Sequence, residues 1–132
     1  MINGGGATLS TATINATISG GSFVGGAVGD IEGGSALIET IVMNGTVTGS
    51  GNHVAGIFGK MTGGGATAQV LRADGAISAL GTNVARIGGL LEGAKAKFLD
   101  AKSSAKLNGA SPSGLKENLL GTHTGVGKVY EP

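Results

Sequence analysis

The side chains of this 132-residue chain best suited to acid–base or metal chemistry are two histidines, His53 and His123, and the carboxylates Asp30, Glu32, Asp74 and Glu92. A metal centre wants three or four converging ligands, and neither histidine has acidic neighbours at ligand spacing. Glycosidase chemistry needs two carboxylates facing one bond, which four scattered acids do not supply. Calcium-binding rolls repeat Gly-Gly-x-Gly-x-Asp, absent here, and the column that opens at Asp30 continues as Lys60 and Leu90. The run Gly121-Thr-His-Thr-Gly-Val-Gly127-Lys128 imitates a phosphate loop. Val129 stands where a magnesium-binding hydroxyl belongs, and only four residues follow Lys128, too few for the helix that must face the phosphates. The expectation is a structural tail there, and no catalytic, cofactor-binding or metal-binding residue anywhere.

Other polar features have ordinary explanations. Thr46-Val-Thr48 suggests a flat threonine array, but its column runs Thr17, Thr46, Ala76 and breaks, as outward strand threonines do. Asn15-Ala-Thr17 and Asn44-Gly-Thr46 match the glycosylation acceptor pattern while also reading as turn asparagines. Lys95, Lys97, Lys102, Lys106 and Lys116, with Asp100 and Glu117, read as a solvated face. Three acids and no base precede Lys60, whereas nine bases and five acids follow from Lys60 on, so the halves carry −3 and +4. With a net charge of +1 and only 13% charged residues, nothing points to nucleic acid, whose binding normally needs a dense basic face. With no cysteine, disulfides and thiolate chemistry are excluded.

These side chains ride on a repeat. Asn15-Ala-Thr-Ile18, Asn44-Gly-Thr-Val47 and Asp74-Gly-Ala-Ile77 recur at spacings of 29 and 30 residues, and a weaker fourth copy ends at Leu107. Val24, Val54 and Val84 form one column; Ala27, Ile57 and Ile87 a second; Ile31, Met61 and Leu91 a third. Gly33, Gly63 and Gly93 close the copies, and Gly29, Gly59 and Gly89 mark bulges or close backbone approach. No copy can bury its apolar face alone, so copies must stack. Asn or Asp before Gly at the corners is expected to supply a positive φ. Phe23, His53 and Asn83 share a column, which implies an edge that tolerates change.

The expected fold is therefore all-β, a β-solenoid-like stack of ~30-residue repeats with a short C-terminal helical or irregular appendage. Residues 1–94 hold three repeats, and 95–132 a diverged fourth repeat and the appendage, within one domain overall. Residues 94–107 admit two readings: a degraded fourth copy of strands, or a helix with Phe98, Ala101 and Ala105 on one face. Ser111-Pro112 with Leu115, Leu119 and Gly121 reads as a short capped helix. The opening Met1-Ile2-Asn3-Gly4-Gly5-Gly6 lacks the basic start and apolar run of a signal peptide, and no stretch of about 18 apolar residues spans a membrane.

Residues 7–94 resemble the GLUG repeats of bacterial surface proteins through the Gly-Thr-Val-Thr-Gly corner and the Val-Gly-Gly-Ala-Val-Gly pattern that follows it. Arg86, which replaces the second glycine, and the last forty residues depart from that pattern. The resemblance implies a non-catalytic adhesive or structural module that presents a surface to a host or cell-surface protein or glycan, extracellular or on the cell surface. The alternative is a self-assembling subunit of a filament or virion, and a carbohydrate-active solenoid enzyme comes third. Homo-oligomers or filaments are expected in either case. Adjacent Ile57-Phe58 and Leu90-Leu91 cannot both point inward from a regular strand, so a bulge or a neighbouring chain must cover them. The opposite charges of the two halves favour head-to-tail contact.

Overall fold

The computed structural model describes residues 2–3, 6, 8–33, 35–63, 65–93, 97–114 and 118–124, and among them the chain is all β, a solenoid of about four turns. The first coil contains β1 (Ile2–Asn3), β2 (Thr8–Ile14), β3 (Thr17–Gly20) and β4 (Val24–Gly25). The second contains β5 (Val28–Glu32), β6 (Leu37–Met43), β7 (Thr46–Gly49) and β8 (Val54–Ala55). The third repeats this as β9 (Phe58–Thr62), β10 (Thr67–Ala73), β11 (Ala76–Ser78) and β12 (Val84–Ala85). In the fourth come β13 (Gly88–Glu92), β14 (Lys97–Ser103) and β15 (Lys106–Leu107), after which β16 (Leu120–Thr124) begins another layer.

Like strands stack in parallel into four sheets, ordered β1-β5-β9-β13-β16, β2-β6-β10-β14, β3-β7-β11-β15 and β4-β8-β12. The register follows the sequence columns: Val24 faces Val54 and Val54 faces Val84, while Ile31, Met61 and Leu91 form one continuous ladder. Ile38, Ile41, Met43, Val47, Val54, Ile57 and Met61 are fully buried, so the interior is a solid apolar core. Side chains of unequal size interlock between layers. Phe58 occupies the column of Gly88, and a Cβ on Gly88 would strike the Phe58 ring. At a stacking distance of about 4.8 Å, a large ring needs such a gap beside it.

Ile57 and Phe58 are both buried because both of their N–H groups donate to the Ile87 carbonyl, at 2.9 and 3.0 Å. This two-against-one pairing is a bulge at the corner, and it buries both side chains without a second chain. Gly29, Gly59 and Gly89 mark close approach: a Cβ on Gly59 would lie 2.6 Å from the carbonyl oxygens of Gly29 and His53.

Two expectations are corrected, and one open alternative is settled. The Asn44-Gly45 and Asp74-Gly75 corners do not carry positive φ, although Asn108-Gly109 after the fourth copy does. Left-handed backbone falls instead at Thr11, Thr40, Val70 and Asp100, in the middle of β2, β6, β10 and β14, and at Phe23, His53 and Asn83. Gly45 and Gly75 are needed for space, since a Cβ on either would run into the carbonyl oxygen of the coil below, at Ala16 and Gly45 respectively. The Asn corner is held by side chains instead: Asn44 Nδ2 donates to Asn15 Oδ1 at 3.1 Å, and the Ser104 hydroxyl donates to Asp74 at 2.6 Å.

Residues 97–107 are strands, the degraded fourth copy rather than the helix. Phe98 and Ala101 join the inward columns of Ala68 and Leu71. The helix expected from Ser111 to Gly121 is also overturned where it is described, although Leu115 lies outside the described residues. Asn118 and Leu119 offer carbonyls to the N–H groups of Arg86, Ile87 and Gly88, and Leu120 and Gly121 continue as strand. Those three N–H groups would otherwise be orphaned at the end of a sheet, and strand pairing satisfies them.

Val70 is a β-branched residue at φ 54°, and its side chain is 46% exposed, so it carries left-handed strain with little burial in return. Val70→Asn is expected to raise stability by about 1 kcal/mol, read as a shift of the urea midpoint at constant slope. An unchanged or lower midpoint would contradict the strained geometry.

Candidate functional site

The residues singled out for chemistry do not assemble into a centre. Asp74 lies on the β10–β11 corner, bound by the Arg72 guanidinium at 2.7 and 2.8 Å and by Ser104, far along the coil from the other acids. Burial pushes its carboxyl up, but the hydrogen bonds from Arg72 and Ser104 outweigh this and hold it below the ordinary value. Asp30, Glu32 and Glu92 do share one sheet. There Lys60 Nζ binds Glu32 at 2.8 Å, and that hydrogen bond raises the lysine pKa against the opposing effect of burial. Asp30 Oδ1 is buried with no hydrogen-bond partner among the described residues. No group of three or more histidine, aspartate or glutamate side chains fit to hold a metal occurs among the described residues. His123 falls in β16 with its side chain outside the described set, as do Lys128 and the end of the loop that imitates a phosphate site.

What the fold does assemble is a polar and aromatic ladder on one corner. The bends at 21–23, 51–53 and 81–83 stack on one another, joined by Gly51 N–H to the Gly21 carbonyl (2.9 Å), Phe23 N–H to Asn52 (2.9 Å) and His53 N–H to Thr82 (2.9 Å). Side chains lock the same loops. The Ser22 hydroxyl accepts from Asn52 N–H at 3.0 Å, and Asn52 Oδ1 accepts from Thr82 N–H at 2.8 Å. Each loop ends on a left-handed residue, Phe23, His53 or Asn83, and each is pressed by a flat glycine of the neighbouring strand. That backbone turn throws three consecutive side chains outward in a single file.

The Phe23 and His53 rings stack at 4.9 Å with 26° between planes, and Asn83 Nδ2 donates to His53 Nδ1 at 3.1 Å. The Thr122 hydroxyl donates to Asn83 Oδ1, which fixes the amide orientation. An amide nitrogen can only donate, so Nδ1 must accept and the neutral ring carries its proton on Nε2. Lys60 Nζ stands 5.4 Å from the Phe23 ring centroid, within cation–π range. Phe23 is 41% exposed, and Leu80, beside the third loop, is 95% exposed. Of the three exposed large apolar residues among the described residues, Phe23 is thus a rung of this ladder and Leu80 sits beside it. The column was legible in the sequence; the diagonal contact of Lys60 with Phe23 and Glu32 was not, because it crosses columns.

Burial and then the Lys60 charge push the His53 pKa below its ordinary value, with Asp30 opposing. The unfolded chain, whose histidines titrate near ~6.5, therefore holds more protons than the folded one just below that pH, and stability falls as pH drops from about 7 to about 5. Asp74 contributes in the same direction only near and below its ordinary pKa of about 4. Melting temperatures at the two pH values are expected to differ more in the parent than in His53→Asn. Equal differences would show that His53 is not the titrating group.

A second feature lies on another face. Thr40, Val42, Val70, Leu71, Arg72, Asp100 and Lys102 line an open groove of about 370 Å³ where β6, β10 and β14 bend. Its floor is mainly aliphatic, and Arg72 is already committed to Asp74. No protein family, no characterised protein and no solved structure matches this chain.

Proposed function

We propose that this chain is a non-catalytic structural and adhesive module, a GLUG-like solenoid that presents the Phe23–His53–Asn83 corner to a protein or glycan on a bacterial surface or in an extracellular assembly. The observation that carries this is the rigid outward file of an exposed aromatic, an imidazole and an amide, flanked by Leu80 and by the Lys60–Glu32 pair. An aromatic face with fixed donors and acceptors is what a sugar ring or a peptide edge requires. Backbone and side-chain ladders hold the loops before any ligand arrives, which lowers the ordering cost of binding.

Against an enzyme stands the chemistry of the same corner. Its Lys60–Glu32 ion pair is self-satisfied, and its histidine is bonded to an amide rather than paired with a nucleophile or carboxylate. No helix among the described residues is long and apolar enough to cross a membrane.

The test is binding of the labelled chain to arrayed host glycans and extracellular-matrix proteins, beside Phe23→Ser and Asn83→Ala. Saturable binding that drops tenfold or more in the variants, at unchanged melting temperature, is expected. Binding unaffected by both variants, or release of reducing sugar from a polysaccharide, would overturn the proposal. A filament or virion subunit is the second reading, favoured by the half-exposed apolar side chains of the first coil.

A further inference from the structure

The two ends of the solenoid differ in how their interiors and edges are treated. At the first coil, Leu9, Ala12, Ile14 and Ile18 are only partly buried, whereas Ile38, Ile41, Met43 and Val47, which stack on them, are at most 2% exposed. At the fourth coil the corresponding Phe98, Ala101 and Ser103 are at most 1% exposed, and Leu107, in the column of Ile18, is the one counterpart left partly buried. That end is covered over most of its interior. Arg86 reaches up to the carbonyls of Ala105 (2.8 Å) and Ala110 (3.0 Å), and Leu119 is buried beside the core.

The edges differ in the same sense. β2, β3 and β4 have no strand on their outer side among the described residues, and residues 1–29 contain no Asp, Glu, Lys, Arg or His at all. Thr8-Leu-Ser-Thr-Ala-Thr-Ile14 is an edge strand of high β-propensity with no charge and no proline. The opposite edge, β14 and β15, carries Lys97, Asp100, Lys102 and Lys106. Edge lysines are the usual guard against strand addition, and only one end of this molecule has them.

We infer that the uncharged first coil is an assembly surface for a second copy of this chain, joined head to head about a two-fold axis with the two β2 strands antiparallel. A head-to-tail join would set the open coil against a mostly covered, lysine-bearing end. A two-fold join lets each copy cover the other's Leu9, Ala12, Ile14 and Ile18 with the same residues, and it closes at two. This proposal departs from the head-to-tail contact expected from the −3 and +4 halves, because the residues at the proposed joining surface carry no charge for salt to screen. The joining strand β2 and the Phe23 corner occupy different stretches of the first coil, and the Thr8→Lys, Thr13→Lys variant and the Phe23→Ser variant test the two readings one at a time.

The experiment is sedimentation of the full chain from about 1 to about 100 µM at low and high salt. Expected is a single species of twice 12.7 kDa at the upper concentrations, insensitive to salt. Thr8→Lys with Thr13→Lys places on β2, at two exposed outward positions, the charges that Lys97 and Lys102 carry in the same columns of β14. That variant is expected to be monomeric throughout with the parent's circular dichroism, while Lys102→Thr, at the far end, stays dimeric. A monomeric parent, masses that grow without limit, or a dimer that survives the folded Thr8→Lys, Thr13→Lys variant would each overturn the inference. Should that variant fail to fold, Ser10→Lys, exposed on the same strand, is read in its place.

Discussion

Val54→Asp is expected to cost roughly 4 kcal/mol or to unfold the chain outright, because it sets a carboxylate in an apolar interior with no partner. Val54 is fully buried in the middle coil, stacked between Val24 and Val84, with its methyl groups against Gly49. Glycine at 49 leaves no side chain that could move aside to admit water. Thr46→Lys is the matched control. Thr46 sits in the column Thr17, Thr46, Ala76, Lys106, so the fourth coil already carries a lysine at that place. Its cost is expected within about 0.5 kcal/mol, the usual range for surface changes. Chemical denaturation of both variants checks this, and comparable losses would mean that the inward and outward columns are misassigned.

Arg86→Ala is expected to lose about 3 kcal/mol, with the damage concentrated in one region. The Arg86 side chain is 2% exposed and donates to carbonyls of Ala105 and Ala110, so truncation removes both bonds, takes this donor from the buried Ala105 carbonyl and empties the space the side chain fills. The column reads Gly26, Gly56, Arg86, and the two glycines are hemmed in by backbone and by Met43 or Ala73. Among the described residues no strand lies over β12, which leaves room for the long side chain to turn upward and fasten residues 105–110. Arg86→Met keeps bulk but no donors and is expected to fall between Ala and the parent. Hydrogen exchange at the Leu107 and Ala110 amides, which pair with each other's carbonyls, is expected to accelerate before the amides of β6 and β10. Uniform acceleration, or an unchanged melting temperature, would contradict the capping role.

The inward columns were legible because a parallel stack repeats its spacing without regard to side-chain size. Val24, Val54 and Val84 line up at 30-residue intervals whether or not the intervening loops match. The same stack made residues 94–107 ambiguous. A left-handed residue at Asp100 bends β14, so Phe98 and Ala101 both point inward three positions apart, as they would on a helix. Ile38 and Ile41 do the same around Thr40, and reading those two coils together exposes the bend. Most of the left-handed positions within the repeats were hidden, because Thr11, Phe23, Thr40, His53 and Val70 are not the glycine or asparagine that usually signals positive φ, whereas Asn83 and Asp100 are of the expected kind. Arg86 was visible as a departure from the repeat, but its partners are carbonyls of a segment whose path no periodicity describes. At the Phe23 corner the column could be read along the sequence. Its ion pair could not, since Lys60 reaches back to Glu32 across neighbouring columns.

The stacked register is tested most directly by cysteine pairing, since the chain contains no cysteine of its own. Thr48 and Ser78 are exposed partners in adjacent coils, at about the 4.8 Å spacing of neighbouring strands, within reach of a disulfide. Thr48→Cys with Ser78→Cys is expected to oxidise to an intramolecular disulfide in the folded chain, while Thr48→Cys with Leu80→Cys, two residues out of register, stays reduced under the same conditions. Equal oxidation of both pairs, or preferential closure of the second, would contradict the solenoid on which every surface described above depends.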